Sequence, residues 1–374
     1  MNKNFKIEKG ITLIALVITI IILLILAGIS ISALTNQGLF KNAKIAQNAT
    51  ERAEEEQGQR LNEYEEELNK YLSNNDKKEE KLVDKVNDGT IKIGDYVKYT
   101  PDTASTTEIL QELNTYSGSN ANTTSTLTQE NLNWRVLDVK DGQVRLISEV
   151  PTTSTITLSG YNGYNNAVKL IDDTCSTLYN NSKLASKVQN LKIEDIQDKM
   201  IEKDYSKFNS DYGKIFTPAN KYYPSILLKE KAQKVNGTEG TELDVSEQTE
   251  LINQTTKPQA TSLEVKYTSW SKTMTTNYFK DSKYYELFIN NNGSNYSTYW
   301  MSSRCVRADS NYAYFYGRFV ASASVGASDL YNSGGGETHN AYAFRPVITL
   351  NSNVQIDTAN SGNGSTAKDG YAIK

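Results

Sequence analysis

Three hydrophobic patterns follow one another along the chain. Residues 11–33 form an unbroken uncharged run, ITLIALVITIIILLILAGISISA, opening on Ile11 and closing on Ala33, and 15 of its 23 residues are Ile, Leu or Val. As a helix this run would be about 34 Å long, against about 30 Å for the hydrocarbon core of a bilayer. Each Ile, Leu or Val favours insertion by roughly 0.3–0.6 kcal/mol, so the pattern predicts a membrane-spanning helix. Lys3, Lys6 and Lys9 precede the run and outweigh Glu8. That bias places the N-terminus in the cytoplasm and everything after Ala33 outside it. A secretory signal peptide is the alternative, although its apolar region is usually shorter and Ala27-Gly28-Ile29 matches a small-x-small cleavage site poorly.

From 34 to 73 the apolar positions thin to a three- or four-residue spacing: Ala43, Ala46, Ala49 and Ala53, then Leu61, Tyr64, Leu68, Tyr71 and Leu72. The spacing predicts a helical stalk, with a coiled coil as the other use of so thin a stripe. The charged stretch 73–81, SNNDKKEEK, reads as a hinge, so 34–81 is taken as stalk and linker.

From residue 82 to 357 the pattern is that of a β-rich globular head. Residues 91–99, IKIGDYVKY, alternate with period two, as a half-buried strand does. WRVLDV at 134–139 and VRLIS at 144–148 flank Asp141-Gly142, which predicts a hairpin, with Trp134 in the core. Between 165 and 205, Leu170, Cys175, Leu178 and Tyr179, then Val188, Leu191, Ile196, Met200 and Ile201, predict two helices. Polar stretches at 102–130 and 234–262 read as inserted loops, and 358–374 as a polar tail.

Composition narrows the chemistry. The net charge of −4 gives no electrostatic footprint for nucleic acid. The single histidine, His339, removes His-rich zinc sites. Cys175 and Cys305 form no Cys-x-x-Cys motif; outside the cell they favour a disulfide, with two buried thiols as the open alternative. Gly334, Gly335 and Gly336 lack the Gly-Lys-Ser/Thr ending of a P-loop and read as a turn, and Ser333 near His339 has no Gly-x-Ser-x-Gly elbow. Asp309, Asp329, Glu337 and Asp357 read as solvated loop acids, with a calcium site of the lectin kind as the open alternative; no metal or cofactor is otherwise expected. Tyr accounts for 24 of the aromatics against 9 Phe and 3 Trp, and Tyr is the aromatic of wet binding faces. Strand alternation puts Tyr312, Tyr314 and Tyr316 on one side with Phe315 on the other. With Arg318 and Tyr331 they form the candidate ligand-binding face.

Three resemblances add to this. The string Lys9-Gly10-Ile11-Thr12-Leu13-Ile14 and its apolar run resemble the type IV prepilin leader. The resemblance implies a leader over 1–10, cleavage between Gly10 and Ile11 by prepilin peptidase, N-methylation of Ile11 and other pilin-like subunits as partners. The family usually has Glu at the fifth mature position, where this chain has Ala15, which puts directed filament assembly in doubt. Trp134-Arg135-Val136-Leu137 and Arg345-Pro346-Val347 are similar to an uncharacterised domain of bacterial envelope proteins. The ending also resembles the C-type-lectin-like fold, though the catalytic cysteines of its formylglycine-generating members have no match here. The expectation is an α+β protein led by a long hydrophobic helix: a single-pass, membrane-anchored, pilin-like envelope protein. Its extracytoplasmic head would serve structural assembly, adhesion or binding of a surface glycan or protein, without catalysis. A signal-anchored extracellular enzyme or a lectin-type protein outside any filament is the alternative.

Overall fold

The computed structural model describes residues 17–22, 58, 61–62, 80–104, 107–119, 127–219, 221–229, 234–235, 238–239, 241–243, 247–257, 263–289 and 298–374. The chain divides into two compact units, Met1–Lys78 and Glu79–Lys374.

In the first unit, residues 17–22, 58 and 61–62 are helical. Six residues rise only about 9 Å as a helix. No helix among the described residues is long and apolar enough to cross a membrane. The expected α+β chain with a long apolar helix and stalk is therefore corrected: among the described residues strand outweighs helix, and the helices are short. The transmembrane, pilin-type character of the N-terminal segment and the single-pass membrane localisation are corrected by the same finding. Gly10, Ile11, Ala15 and Ala33, and most of the 34–81 stalk, lie outside the described residues.

The second unit is built on two sheets. The first holds β1 (Tyr96–Lys98), β2 (Trp134–Lys140), β3 (Gln143–Ser148), β5 (Ala185–Asn190), β11 (Pro346–Leu350) and β12 (Tyr371–Ala372), in the order β12-β1-β2-β3-β11-β5. Its pairs are antiparallel except β12 with β1. The second holds β6 (Lys272–Thr273), β7 (Tyr299–Ala308), β8 (Ala313–Ala321) and β9 (Ser324–Asn332), in the antiparallel order β6-β9-β8-β7. A separate pair joins β4 (Ile156–Ser159) to β10 (His339–Tyr342). Six helices are described in this unit: α1 (Leu82–Asn87), α2 (Thr107–Tyr116), α3 (Gly160–Asn166), α4 (Lys169–Tyr179), α5 (Ile193–Lys199) and α6 (Ser282–Phe288).

The hairpin forms as its turn chemistry dictates. Asp141 and Gly142 take φ of 51° and 75°, the left-handed values a two-residue turn of matching twist requires. Its strands are apolar on both faces because both are covered. Val136, Leu146 and Ile348 pair in register and join a cluster with Leu170, Cys175 and Leu178 of α4. Ile147 and Val347 face the other way, into a cluster with Ile193 and Ile196 of α5, Leu287 and Phe288 of α6, and Met301, Val320 and Val325 of the second sheet. A bulge between Val136 and Asp138 resets the alternation, so Leu137 joins that second cluster and Asp138 comes opposite Arg145. Trp134 is in the core, edge-on to Tyr99 and Tyr179 at 5.3 and 5.8 Å.

The sheets meet along β7. The backbone N–H of Trp300 donates to the Ala343 carbonyl at 2.8 Å, and that of Ser302 to the Leu191 carbonyl at 2.9 Å. The Asn190 carboxamide donates to the Trp300 carbonyl at 2.8 Å.

Three segments depart from the sequence expectation. The 102–130 stretch contains α2. Val188 belongs to a strand, because it pairs with Ile348, and only 193–199 of the second expected helix is helical. Residues 358–374 return to the first sheet as β12 rather than trailing as a tail. Within 234–262, the stretch 247–257 is fastened to α3 by an amide clasp. Gln254 accepts from Asn165 at 2.8 Å, Asn162 accepts from the Gln254 N–H at 2.8 Å, and Asn166 accepts from the Ile252 N–H at 2.8 Å. The buried amides thus find the partners that burial demands.

Candidate functional site

β8 positions the tyrosine face. Asp309 accepts from the backbone N–H groups of Asn311 and Tyr312, both at 2.8 Å, and so shapes the turn that delivers Tyr312 to the strand. Two-residue alternation then stacks the rings: Tyr312 and Tyr314 lie edge to face at 6.0 Å, and Tyr314 and Tyr316 lie parallel at 6.3 Å. Tyr312 is 37% exposed, Tyr314 half-buried and Tyr316 only 9% exposed, so the ladder is open at one end. The closed end is covered by the segment around Tyr267–Trp270, whose backbone N–H groups at Thr268 and Ser269 bond the Val306 carbonyl.

That covering strand of chain decides the fate of Arg318. Its guanidinium is 2% exposed, donates to the Trp270 carbonyl at 2.6 Å and the Thr268 carbonyl at 3.1 Å, and lies 5.2 Å over the Trp270 ring. It clamps the cover down and does not line the open face. Tyr331 is also elsewhere: it is 1% exposed, opposite Phe315 and edge-on to Tyr161 at 5.6 Å, on the core side of the sheet. The structure brings Tyr312, Tyr314 and Tyr316 together and separates Arg318 and Tyr331 from the accessible surface.

Two residues that sequence reasoning missed complete the face. Arg307, directly across from Tyr314 on β7, holds its guanidinium carbon 5.7 Å over the Tyr314 ring. It is exposed, and its guanidinium also bonds the Tyr316 phenol. The signal was the alternation Cys305, Arg307 beside Tyr316, Tyr314. Asp329 lies opposite Tyr316 on β9 rather than in a solvated loop. Burial raises its carboxyl above the usual range, with a backbone hydrogen bond at Tyr331 opposing, and its Oδ1 has no hydrogen-bond partner among the described residues. Burial likewise pushes the Tyr316 phenol up, and Asp329 adds to the shift. The phenol therefore stays protonated at neutral pH and is a hydrogen-bond donor as well as an acceptor.

The next loop is glycine-rich for a packing reason. A Cβ on Gly334 would sit 2.6 Å from Cε1 of Tyr312, and Gly335 has φ of +88°. Tyr222, 38% exposed, packs at the other side of this turn. Ser333 is buried with its hydroxyl accepting the Ala313 N–H at 2.9 Å, while His339 is exposed on β10 across from Ser159. Glu337 is 3.4 Å from Lys257, and Asp357 accepts from Asn360 at 2.7 Å. Among the described residues no group of three or more His, Cys, Asp or Glu is placed to hold a metal ion. Cys175 and Cys305 are free, buried thiols, each pushed up by burial.

A second polar constellation lies on the first sheet. Arg145 grips Asp138 with two hydrogen bonds of 2.7 Å and reaches Asp195 at 2.5 Å, while Lys199 lies 2.6 Å from Asp138. Burial works against the Asp138 charge, but Arg145 and Lys199 override it and hold the carboxyl below its ordinary value. Burial also opposes the Arg145 charge, and Asp138 and Asp195 more than compensate. Both carboxylates are thus held by cations, an arrangement that fixes structure rather than moving protons.

No protein-family model matches this chain, and no curated protein or solved structure matches it.

Proposed function

We propose that the Glu79–Lys374 unit is an adhesion or ligand-binding module without catalysis, and that it recognises a carbohydrate on the tyrosine face. The observation that carries this reading is the ladder itself: Tyr312, Tyr314 and Tyr316 follow one another at strand spacing, Tyr312 is exposed at the open end, and Arg307 lies over the second ring. Flat aromatic faces pack against the apolar C–H faces of sugar rings. Arg307, Asp329 and the phenols supply the donors and acceptors that sugar hydroxyls need. The glycine turn and Tyr222 border the open end and lend the surface an adaptable rim. A non-catalytic role is supported by the environment of the acids and of the lone histidine. Asp138 and Asp195 are locked in ion pairs, and His339 and the buried Ser333 hydroxyl are differently disposed.

A glycan array probed with the full-length protein tests the reading, with the Tyr312→Ala, Tyr314→Ala double variant alongside. Aromatic contacts of this kind are worth about 0.5–1.5 kcal/mol each. The double variant should therefore bind its best glycan roughly five- to a hundredfold more weakly. Undiminished binding by the double variant removes the tyrosine face as the site, and an array without a hit removes the carbohydrate.

A further inference from the structure

We propose that a cavity at one end of the first sheet binds a compact tetrahedral oxyanion, a phosphate or sulfate group carried on a small polar molecule. The cavity has a volume of about 420 Å³, within the usual range for small-ligand sites. Its floor is part of a cross-strand row: Arg145, Thr349 and Lys187 line it from directly opposite positions on β3, β11 and β5, and Asp138 of β2 continues the row beyond Arg145. Four neighbouring strands hold that row rigid. Lys140 and Gln143 at the hairpin end, Gln189 within β5 and Lys192 just beyond it complete the walls.

The charges in this cavity are unevenly spent. Arg145 is committed to Asp138 and Asp195, and Lys192 lies 3.3 Å from Asp172. Asp195 also accepts the Lys192 backbone N–H at 3.0 Å. Asp141 and Glu194 line the cavity as well. Lys140 and Lys187, in contrast, have no carboxylate within 4.0 Å among the described residues. Burial, then Lys192, lowers the Lys187 ammonium below its usual range; Lys140 adds to this and Asp172 and Asp195 only partly oppose it. The lysines repel one another across the cavity, and an entering anion relieves that repulsion. The Gln189 carboxamide has no hydrogen-bond partner among the described residues and faces the same space. Two ammonium groups and an uncommitted amide N–H₂ provide the convergent donors that a tetrahedral oxyanion accepts. Thr349 adds a hydroxyl that suits a polar carrier, while Gln143 donates to the Ser186 hydroxyl and the Leu350 carbonyl, both at 2.9 Å, and so holds the rim. This site is independent of the tyrosine face.

Titration of the full-length protein with inorganic phosphate, followed by calorimetry at low ionic strength, tests it. One saturable site is expected. Lys187→Gln and Lys140→Gln, which remove no ion pair among the described residues, should each weaken binding about tenfold, and the double variant more. Sulfate should compete, planar acetate should not, and added chloride should weaken binding progressively. The Tyr312→Ala, Tyr314→Ala variant should bind phosphate as the wild type does, so a failure of the carbohydrate reading leaves this result standing. Absence of saturable phosphate binding overturns the proposal. So does wild-type affinity in the double lysine variant, or equal competition by acetate, which would show general attraction of anions.

Discussion

Replacing Asp138 by Asn keeps the shape of the side chain and removes its charge. In the native protein this carboxylate accepts two hydrogen bonds from Arg145 and lies 2.6 Å from Lys199, with its side chain only 5% exposed. The amide turns one acceptor into a donor facing a cation. Removing one member of a buried ion pair costs about 3–5 kcal/mol. The lower end applies here, because Asp195 still holds Arg145 and Lys199, 19% exposed, can turn toward water. A loss of about 3 kcal/mol at pH 7 corresponds to a drop of about 5–10 °C in Tm for a unit of this size. Urea unfolding followed by tryptophan fluorescence is a suitable assay, since Trp134, Trp270 and Trp300 are all buried in this unit. The pH dependence has a definite sign. The folded carboxyl titrates below its unfolded value of about 3.9. Its contribution is therefore fully present above that value and is lost as pH falls through the lower folded one. The stability gap between wild type and Asp138→Asn should stay constant from pH 7 to 5 and close below about pH 4. A gap under about 1 kcal/mol at pH 7, or one that persists unchanged to pH 2, refutes the assignment of the ion cluster as a stabilising device.

Two further outcomes follow from packing. Gly317→Ala would place a Cβ 2.9 Å from Cζ3 of the buried Trp300 ring and should destabilise by about 1–3 kcal/mol in the same unfolding assay; a neutral result would mean the indole has room to retreat. Cys175 and Cys305 should be unreactive to an aromatic disulfide reagent in the native protein and should both titrate after denaturation. Labelling of either thiol without denaturant contradicts their burial.

Much of the candidate site was legible along the chain. Asp141-Gly142 announced the hairpin because few other residues take a left-handed φ at two successive positions without strain. Tyr312, Tyr314 and Tyr316 share a face because strand alternation is local geometry. Arg318 obeys the same alternation, yet it lies under Trp270, since which part of a face is covered depends on a segment some fifty residues distant in sequence. Tyr331 was misplaced for a related reason. The bulge between Phe315 and Tyr316 shifts its partner strand, and it pairs with Phe315 on the core side. Val188 kept helical spacing with Leu191, but hydrogen bonding to β11 makes it a strand. Spacing over a few residues cannot weigh a sheet neighbour drawn from position 348.

The sequence by itself determined the turn of the hairpin, the strands that flank it, the shared face of Tyr312, Tyr314 and Tyr316 and the exclusion of His-rich and Cys-x-x-Cys chemistry. These depend on backbone conformation, local periodicity and composition. The tertiary structure alone decided that the described helices are short, that the C-terminal residues close the first sheet, that the thiols stay apart from solvent and free, and which tyrosines face outward. It alone gathered Asp138, Arg145, Thr349 and Lys187 from four strands into one row. Burial and cross-strand pairing join residues hundreds of positions apart, and the free energy of such contacts is written in no local pattern.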